Sequence, residues 1–366
     1  MVGCSSQNSV ETNDFSMTYT FLVGAYTEDA GQGINQLEFT PADSSLKTTV
    51  VFPGIKNPSF VIANSKADMV FSVEEINSVS GGNIESFNRN LQTGMLSKAD
   101  ELPSFGDDPC YLSLSPDDKM LAVANYSGGN LSVYLVDDNA KLTHLQTLQH
   151  EGSSINSARQ EKAHVHSTVF SPDGKFLLSA DLGTDEIYCY SVDQSLDSPL
   201  KLNSTYKVRQ GDGPRHIIFS KDGAEFYLVQ ELTANLEIFS FENGKIVSKQ
   251  RVSLLPEGYI GAVGAAEVRL SPDEKQIYVS NRGDANTISV IAKNSNDIFE
   301  IIQQLPTGGK NPRNFSLTGD GKYLLITHQD SNDVIAFERN LETGKLKQTR
   351  MKVEMHKPVY LFTLPD

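Results

Sequence analysis

Only three cysteines occur in 366 residues, Cys4, Cys110 and Cys189, too few for a disulfide framework. No stretch approaches eighteen consecutive apolar residues, which excludes a membrane-spanning helix. Cations are scarce: 31 Lys and Arg stand against 46 Asp and Glu, a formal net charge of −15. Nucleic acid and anionic lipid both require a basic face, so neither is expected as a partner. An anionic small molecule would have to be held by a local cluster of arginines, against the field of the rest of the chain. No G-x-S-x-G string occurs, so the strained turn that presents a serine nucleophile is missing.

What is there is a repeat. A Pro or Gly, a short apolar strand, a Ser-Pro-Asp-Gly-like turn, a second apolar strand and a polar pair recur along the chain. The module reads NPSFVIANSKADMVFSVEE from Asn57, DPCYLSLSPDDKMLAVANY from Asp108 and HVHSTVFSPDGKFLLSADL from His164. It continues as GPRHIIFSKDGAEFYLVQE from Gly213, GAAEVRLSPDEKQIYVSNR from Gly264 and NPRNFSLTGDGKYLLITHQ from Asn311. The turn anchors are Asn64, Ser115, Ser171, Ser220, Ser271 and Thr318, at intervals of 51, 56, 49, 51 and 47 residues. A third apolar strand and a weaker fourth follow each polar pair.

A seventh copy is split. The terminal KPVYLFTLPD supplies the first strand and turn, and YTFLVGAY from Tyr19 to Tyr26 supplies the second strand. Four antiparallel strands at this period are the signature of a propeller blade. The expected fold is therefore all-β: a seven-bladed β-propeller over residues 17–366, closed where N-terminal strands complete the sheet begun by the C-terminus. Closure removes free sheet edges. Helices fit poorly, because the apolar runs are short, β-branched and aromatic.

Stacking the copies on the turn converts each position into a ring around the central channel. Five residues before the anchor stand Ser59, Cys110, His166, Arg215, Ala266, Arg313 and Val359. Eleven residues after it stand Tyr26, Glu75, Tyr126, Leu182, Glu231, Arg282 and Gln329. In an antiparallel hairpin these two positions meet at one rim, so Arg215 and Glu231 should emerge side by side. Residues that only fold a blade would be alike in every copy. These differ from blade to blade and are rich in ionisable groups, which points to a binding site at one mouth rather than to scattered rim ion pairs worth ~0–1 kcal/mol each.

The strings NYSGG (125–129), RQEKAHVHS (159–167), DLGTD (181–185), GPRH (213–216), QEL (230–232) and SNRG (280–283) occur in order and at blade spacing. Together they resemble the lactonase family of seven-bladed propellers, which contains bacterial 6-phosphogluconolactonases and fungal enzymes that form or open carboxymuconate lactones. The resemblance runs from about Tyr19 to Phe362. It implies a catalytic set of His166, Arg215, Glu231 and Arg282, the four that the rings select together with Arg313. His164, two residues from His166 on a strand, shares its face and is expected beside it as a substrate contact, as is Arg313.

The implied activity is hydrolysis of a small anionic sugar lactone, foremost 6-phosphogluconolactone. Muconate-type lactonising chemistry, an unphosphorylated lactone, or a non-catalytic ligand-binding propeller are the alternatives. Lactone opening needs an activated water, a stabilised oxyanion and a proton for the leaving alkoxide. Either His166 or Glu231 could take the water's proton, while Arg215 and Arg282 grip the anion and the oxyanion. No cofactor and no metal are expected, because arginines crowding the mouth would repel a cation. His-x-His remains the competing ligand pair. Asp181 and Asp185 read as turn and strand-end hydrogen-bonders, Asn125, Asn281 and His328 as structural, and Cys189 as core.

The opening Val2-Gly3-Cys4-Ser5-Ser6 looks like the tail of a bacterial lipoprotein signal, and residues 1–16 read as a flexible tether with Cys4 as a possible lipid anchor. That would place the protein in the cell envelope, and otherwise in the cytoplasm. The expected assembly is a monomer or weak homodimer.

Overall fold

The computed structural model describes residues 17–29 and 31–365. The expected tether and Cys4 lie outside the described residues. Seven four-stranded antiparallel sheets form seven blades. Six of them use consecutive strands. The seventh places Pro358–Thr363 against Tyr19–Ala25, pairing Phe21 with Thr363 and Val23 with Leu361, as the split repeat requires.

Burial grades outward through each blade. Met120–Asn125 (MLAVAN) and Gln276–Asn281 (QIYVSN), second strands wedged between neighbouring sheets, are buried at every residue. Both faces of such a strand are covered, so its sequence runs apolar without alternation. The outermost Leu96–Pro103 is mostly exposed and carries polar side chains instead. Adjacent blades pack face to face: Leu178, Ala180 and Ile187 of one contact Phe226, Leu228 and Phe239 of the next.

The turn at the anchor is built five times over by one device. The hydroxyl of Ser115, Ser171, Ser220, Ser271 or Thr318 donates to the aspartate two residues on, at 2.6–2.8 Å. The same oxygen accepts the backbone N–H five residues on, at 2.9–3.1 Å. The turn's last residue takes positive φ, near 70° at Gly174, Gly223 and Gly321, where a residue without Cβ is strain-free.

One irregularity positions the site. Where the innermost strand begins, its pairing with the second strand slips: between Pro109 and Tyr111, Val165 and Ser167, Pro214 and Ile217, Ala265 and Val268, and Pro312 and Asn314. Cys110, His166, Arg215, Ala266 and Arg313 sit in these bulges. A bulge bends the strand and re-aims its side chains, so this ring turns into the channel mouth instead of continuing the flat face of a blade.

Candidate active site

Arg215 and Glu231 meet as the hairpin geometry requires. Arg215 Nη1 donates to Glu231 Oε2 at 2.6 Å and to His166 Nε2 at 2.7 Å, while its Nε donates to the Ala266 carbonyl at 2.9 Å. Arg282 Nη2 lies 3.0 Å from the same Glu231 oxygen, and its Nε donates to the Gly264 carbonyl at 3.0 Å. The other Glu231 oxygen accepts from Arg159 Nη2 at 2.7 Å. Glu231 is 3 % exposed, yet three guanidiniums surround it.

Burial works against the Glu231 charge, but the guanidiniums of Arg282, Arg215 and Arg159 override it and hold the carboxyl well below its usual range. For His166, burial first and the Arg215 charge second push the imidazole well below its ordinary value. A guanidinium only donates, so Nε2 of His166 must accept from Arg215 and the ring proton sits on Nδ1, which faces Cys110 Sγ at 3.8 Å. Burial, with Arg215, Arg313 and Arg159 alongside, pushes Arg282 down to about 9 despite the pull of Glu231. A guanidinium keeps its proton in a protein. The depression therefore marks a cation short of counter-charge.

A second group faces this one across the mouth. Glu75 accepts from the Tyr26 hydroxyl at 2.7 Å through Oε1 and from Ser59 Oγ through Oε2. The Arg313 guanidinium carbon lies 5.3 Å from the centre of the Tyr26 ring, a cation–π distance. Burial opposes the Arg313 charge, but Tyr26, Glu75 and Glu231 together raise its pKa. Among the described residues Arg313 forms no ion pair.

Both groups line one cavity of about 360 Å³, together with Asp108, Cys110 and Tyr126. A neighbouring cavity of about 470 Å³ shares Arg159, Glu231 and Arg282 and adds Lys310, Asn311 and Asp330. Arg159 thus stands between two chambers. Volumes of this order suit small ligands.

Of the expected site residues, His166, Arg215, Glu231, Arg282 and Arg313 converge on the inner cavity. His164 does not join its lining. Its ring stacks on Tyr126, with centroids 4.5 Å apart, and its nitrogens face the Tyr126 carbonyl and Glu161 at 3.1 Å each. The bulge at His166 breaks the alternation that would have put both rings on one face. His164 acts on the cavity only by backing Tyr126.

The aspartates of DLGTD behave as hydrogen-bonders. Asp181 Oδ1 accepts from the backbone of His164, Gly183 and Thr184 at 2.8–3.1 Å, and Asp185 accepts from Gly211 and Gly213 at 2.6 and 2.8 Å. They clamp the starts of the strands carrying His166 and Arg215.

Arg159 was not visible as a site residue, since it belongs to no repeat position. Two signals were available: Arg159 opens the string RQEKAHVHS, and the 56-residue interval is the longest of the five. Its extra length lies in the connection before Val165–Phe170, and that connection carries Arg159 to Glu231. Glu75 and Tyr26 were in the rings but not singled out.

Among the described residues, the carboxylates close enough together to hold a cation are Glu74, Glu85 and Glu101, across the outer three strands of one blade. Lys98 already sits 3.0 Å from Glu85 and 2.8 Å from Glu101.

Comparison with known proteins agrees with the seven-bladed fold. The family described as "Lactonase, 7-bladed beta-propeller" matches residues 20–362. A Formosa agariphila protein named 6-phosphogluconolactonase is 30 % identical over 336 residues, covering 89 % of this chain and 94 % of its own length. The structure of a periplasmic gluconolactonase from Pseudomonas aeruginosa superposes with a TM-score of 0.89 at 32 % identity, covering 95 % of this chain and 99 % of that one. A candidate 6-phosphogluconolactonase from Bacteroides fragilis gives 0.87 at 30 % identity, covering 97 % and 99 %.

Proposed function

The chain belongs to the lactonase family of seven-bladed β-propellers, and from that premise we propose that it hydrolyses a small anionic sugar lactone without a metal, foremost 6-phospho-glucono-1,5-lactone. On that substrate it would serve the pentose phosphate route. The observation that carries this reading is the imbalance at the mouth. Four guanidiniums, Arg159, Arg215, Arg282 and Arg313, line the inner cavity against three carboxylates, Glu75, Asp108 and Glu231; three of the four crowd Glu231, and among the described residues Arg313 forms no ion pair.

An anion entering between them supplies the missing counter-charge. Arg282, short of a partner, is the donor best placed to gain from an oxyanion that appears only in the transition state. Arg215 is held by His166 and the Ala266 carbonyl, so its direction is set before substrate arrives. Glu231 gathers the arginines. His166, neutral, orients Arg215. Arg313 and, through the outer chamber, Arg159 and Lys310 are the cations available to a phosphate. The same cations would repel a divalent ion, which argues against metal catalysis.

A second reading, hydrolysis of unphosphorylated gluconolactone, is favoured by the likeness to the periplasmic gluconolactonase. A pH-stat assay on δ-gluconolactone, 6-phosphogluconolactone and a muconolactone, each with and without EDTA, separates the readings. Acid release fastest on the phosphorylated lactone and indifferent to EDTA is expected. Release abolished by EDTA refutes the metal-free proposal, and no acceleration on any lactone leaves a ligand-binding propeller.

A further inference from the structure

Hydrolysis needs a base for the attacking water, and both family-implied candidates are poor ones. The one lone pair of neutral His166 is taken by Arg215 at 2.7 Å. Glu231 is held by three guanidiniums at 2.6–3.0 Å. Protonating it would strip counter-charge from all three, and donor-only groups cannot turn to accept from the resulting O–H.

We infer that Glu75 is the catalytic base of this site, working with the hydroxyls of Tyr26 and Ser59 on the far side of the cavity from Glu231. The inference rests on the lactonase reading above. Glu75 lines the same inner cavity as Arg215, Arg282 and Arg313. Within 4 Å no cation pairs with it among the described residues. Its two oxygens are held by hydroxyls, from Tyr26 at 2.7 Å and from Ser59. A hydroxyl both donates and accepts, so these partners can turn when Glu75 takes up a proton and keep the protonated acid satisfied.

The other carboxylate on the lining, Asp108, is less suited. Its Oδ2 accepts from the side-chain NH2 of Asn77 at 3.2 Å, a group that only donates, and from Ser127. Other groups near Glu75 are Cys110 and Arg313. Arg313, stacked on Tyr26, stands beside the base and can hold the hydroxide-like oxygen as it forms.

The step balances within the site. Glu75 takes a proton from water as the water oxygen bonds to the lactone carbonyl carbon. The carbonyl π pair moves to oxygen, giving an oxyanion facing Arg282 and Arg215. Collapse re-forms the carbonyl and breaks the ring C–O bond. The departing alkoxide takes the proton from Glu75, which returns to its carboxylate, and the new carboxylic acid ionises to solvent.

The test compares wild type, Glu75→Gln, Glu75→Ala and Asp108→Asn on the lactone that wild type opens fastest, reading kcat and KM across pH, with sodium formate added to the alanine variant. Expected are a kcat loss of ~10²-fold or more in Glu75→Gln, the scale of removing a positioned base, with KM within a few-fold. Its acid limb should vanish from the pH profile, formate should restore Glu75→Ala, and Asp108→Asn should retain the acid limb. An active wild type beside an equally active Glu75→Gln overturns the inference alone, as does lost activity in which the acid limb persists and formate does nothing. A wild type that opens no lactone overturns the lactonase reading and this inference with it.

Discussion

His166 Nε2 accepts a 2.7 Å hydrogen bond from Arg215 Nη1, and this contact commits the imidazole to its neutral form in the folded protein. His216, 5.3 Å away ring to ring, is likewise neutral: burial pushes it down to about 4 despite Glu267. An unfolded histidine titrates near 6.5, so below that pH the unfolded chain binds more protons than the native one. The stabilisation is complete above pH 6.5 and is lost as pH falls toward 4. Below 4.5 the depressed carboxyls of Glu231 and Glu267 add to the loss. Urea unfolding should give a flat stability from pH 7 to 8.5 and a decline of about 2–3 kcal/mol per pH unit near pH 5, two protons' worth. A stability unchanged between pH 7 and 5 would contradict the assigned protonation.

Arg215→Ala and Arg282→Ala should each lower kcat by ~10²-fold or more, the scale of losing a transition-state donor. In either variant Glu231 keeps two of its three guanidiniums. The melting temperature should stay within a few degrees of wild type, checked by differential scanning calorimetry. Loss of folding instead would make these arginines structural.

Arg159→Ala tests the residue that stands between the chambers. Its side chain is 42 % exposed, so its ion pair with Glu231 contributes little to stability, within about 0.5 kcal/mol. A charge-assisted contact to an anionic substituent is worth more, ~1.5 kcal/mol, which is about tenfold in affinity. Steady-state kinetics should show KM up roughly tenfold on the phosphorylated lactone, less on δ-gluconolactone, with kcat little changed.

Cys110 should be chemically silent despite its place on the cavity wall. Burial, with Glu75 beside it, raises its thiol pKa, and burial pushes Cys189 up to about 11. The thiolate is the reactive form. Iodoacetamide at pH 8 followed by peptide mass spectrometry should leave both unmodified in the native protein and label both in urea. Native labelling of Cys110 would mean that the mouth opens wider than this structure.

Leu361 carries the closure of the ring. It is fully buried, pairs with Val23 across the join, and packs with Phe21, Phe39 and Leu325. Leu361→Ala should cost about 2–5 kcal/mol, the range for a leucine removed from a packed core, read as a lower urea midpoint. Because the join completes the whole disc, unfolding should remain one cooperative transition.

The blades were legible because a blade is a local object. The Ser-x-Asp turn, seen at Ser171-Pro172-Asp173 and its equivalents, closes its own hydrogen bonds within five residues, and apolar runs mark the wedged second strands. The split copy identified the closure through the same pattern. The mouth was legible too, since repeat position is a proxy for radius and height in a propeller. Arg215 beside Glu231 followed from hairpin register alone.

Side-chain contacts were not legible to the same degree. His164 and His166 are two apart, yet only His166 enters the cavity, because a bulge rotates it away from the strand's alternation. Arg159 reaches Glu231 across 72 positions of sequence from a connection outside the repeat.

The amino-acid sequence alone therefore determined the seven blades, their closure, and which residues encircle one mouth, since these rest on periodic apolar burial and short-range turn bonding. Only the tertiary structure decided which of those residues hold one another: three guanidiniums on Glu231, a blocked lone pair on His166, and a Glu75 held by the hydroxyls of Tyr26 and Ser59. Those choices depend on bulge geometry and on distances between blades. No spacing within a single repeat encodes them.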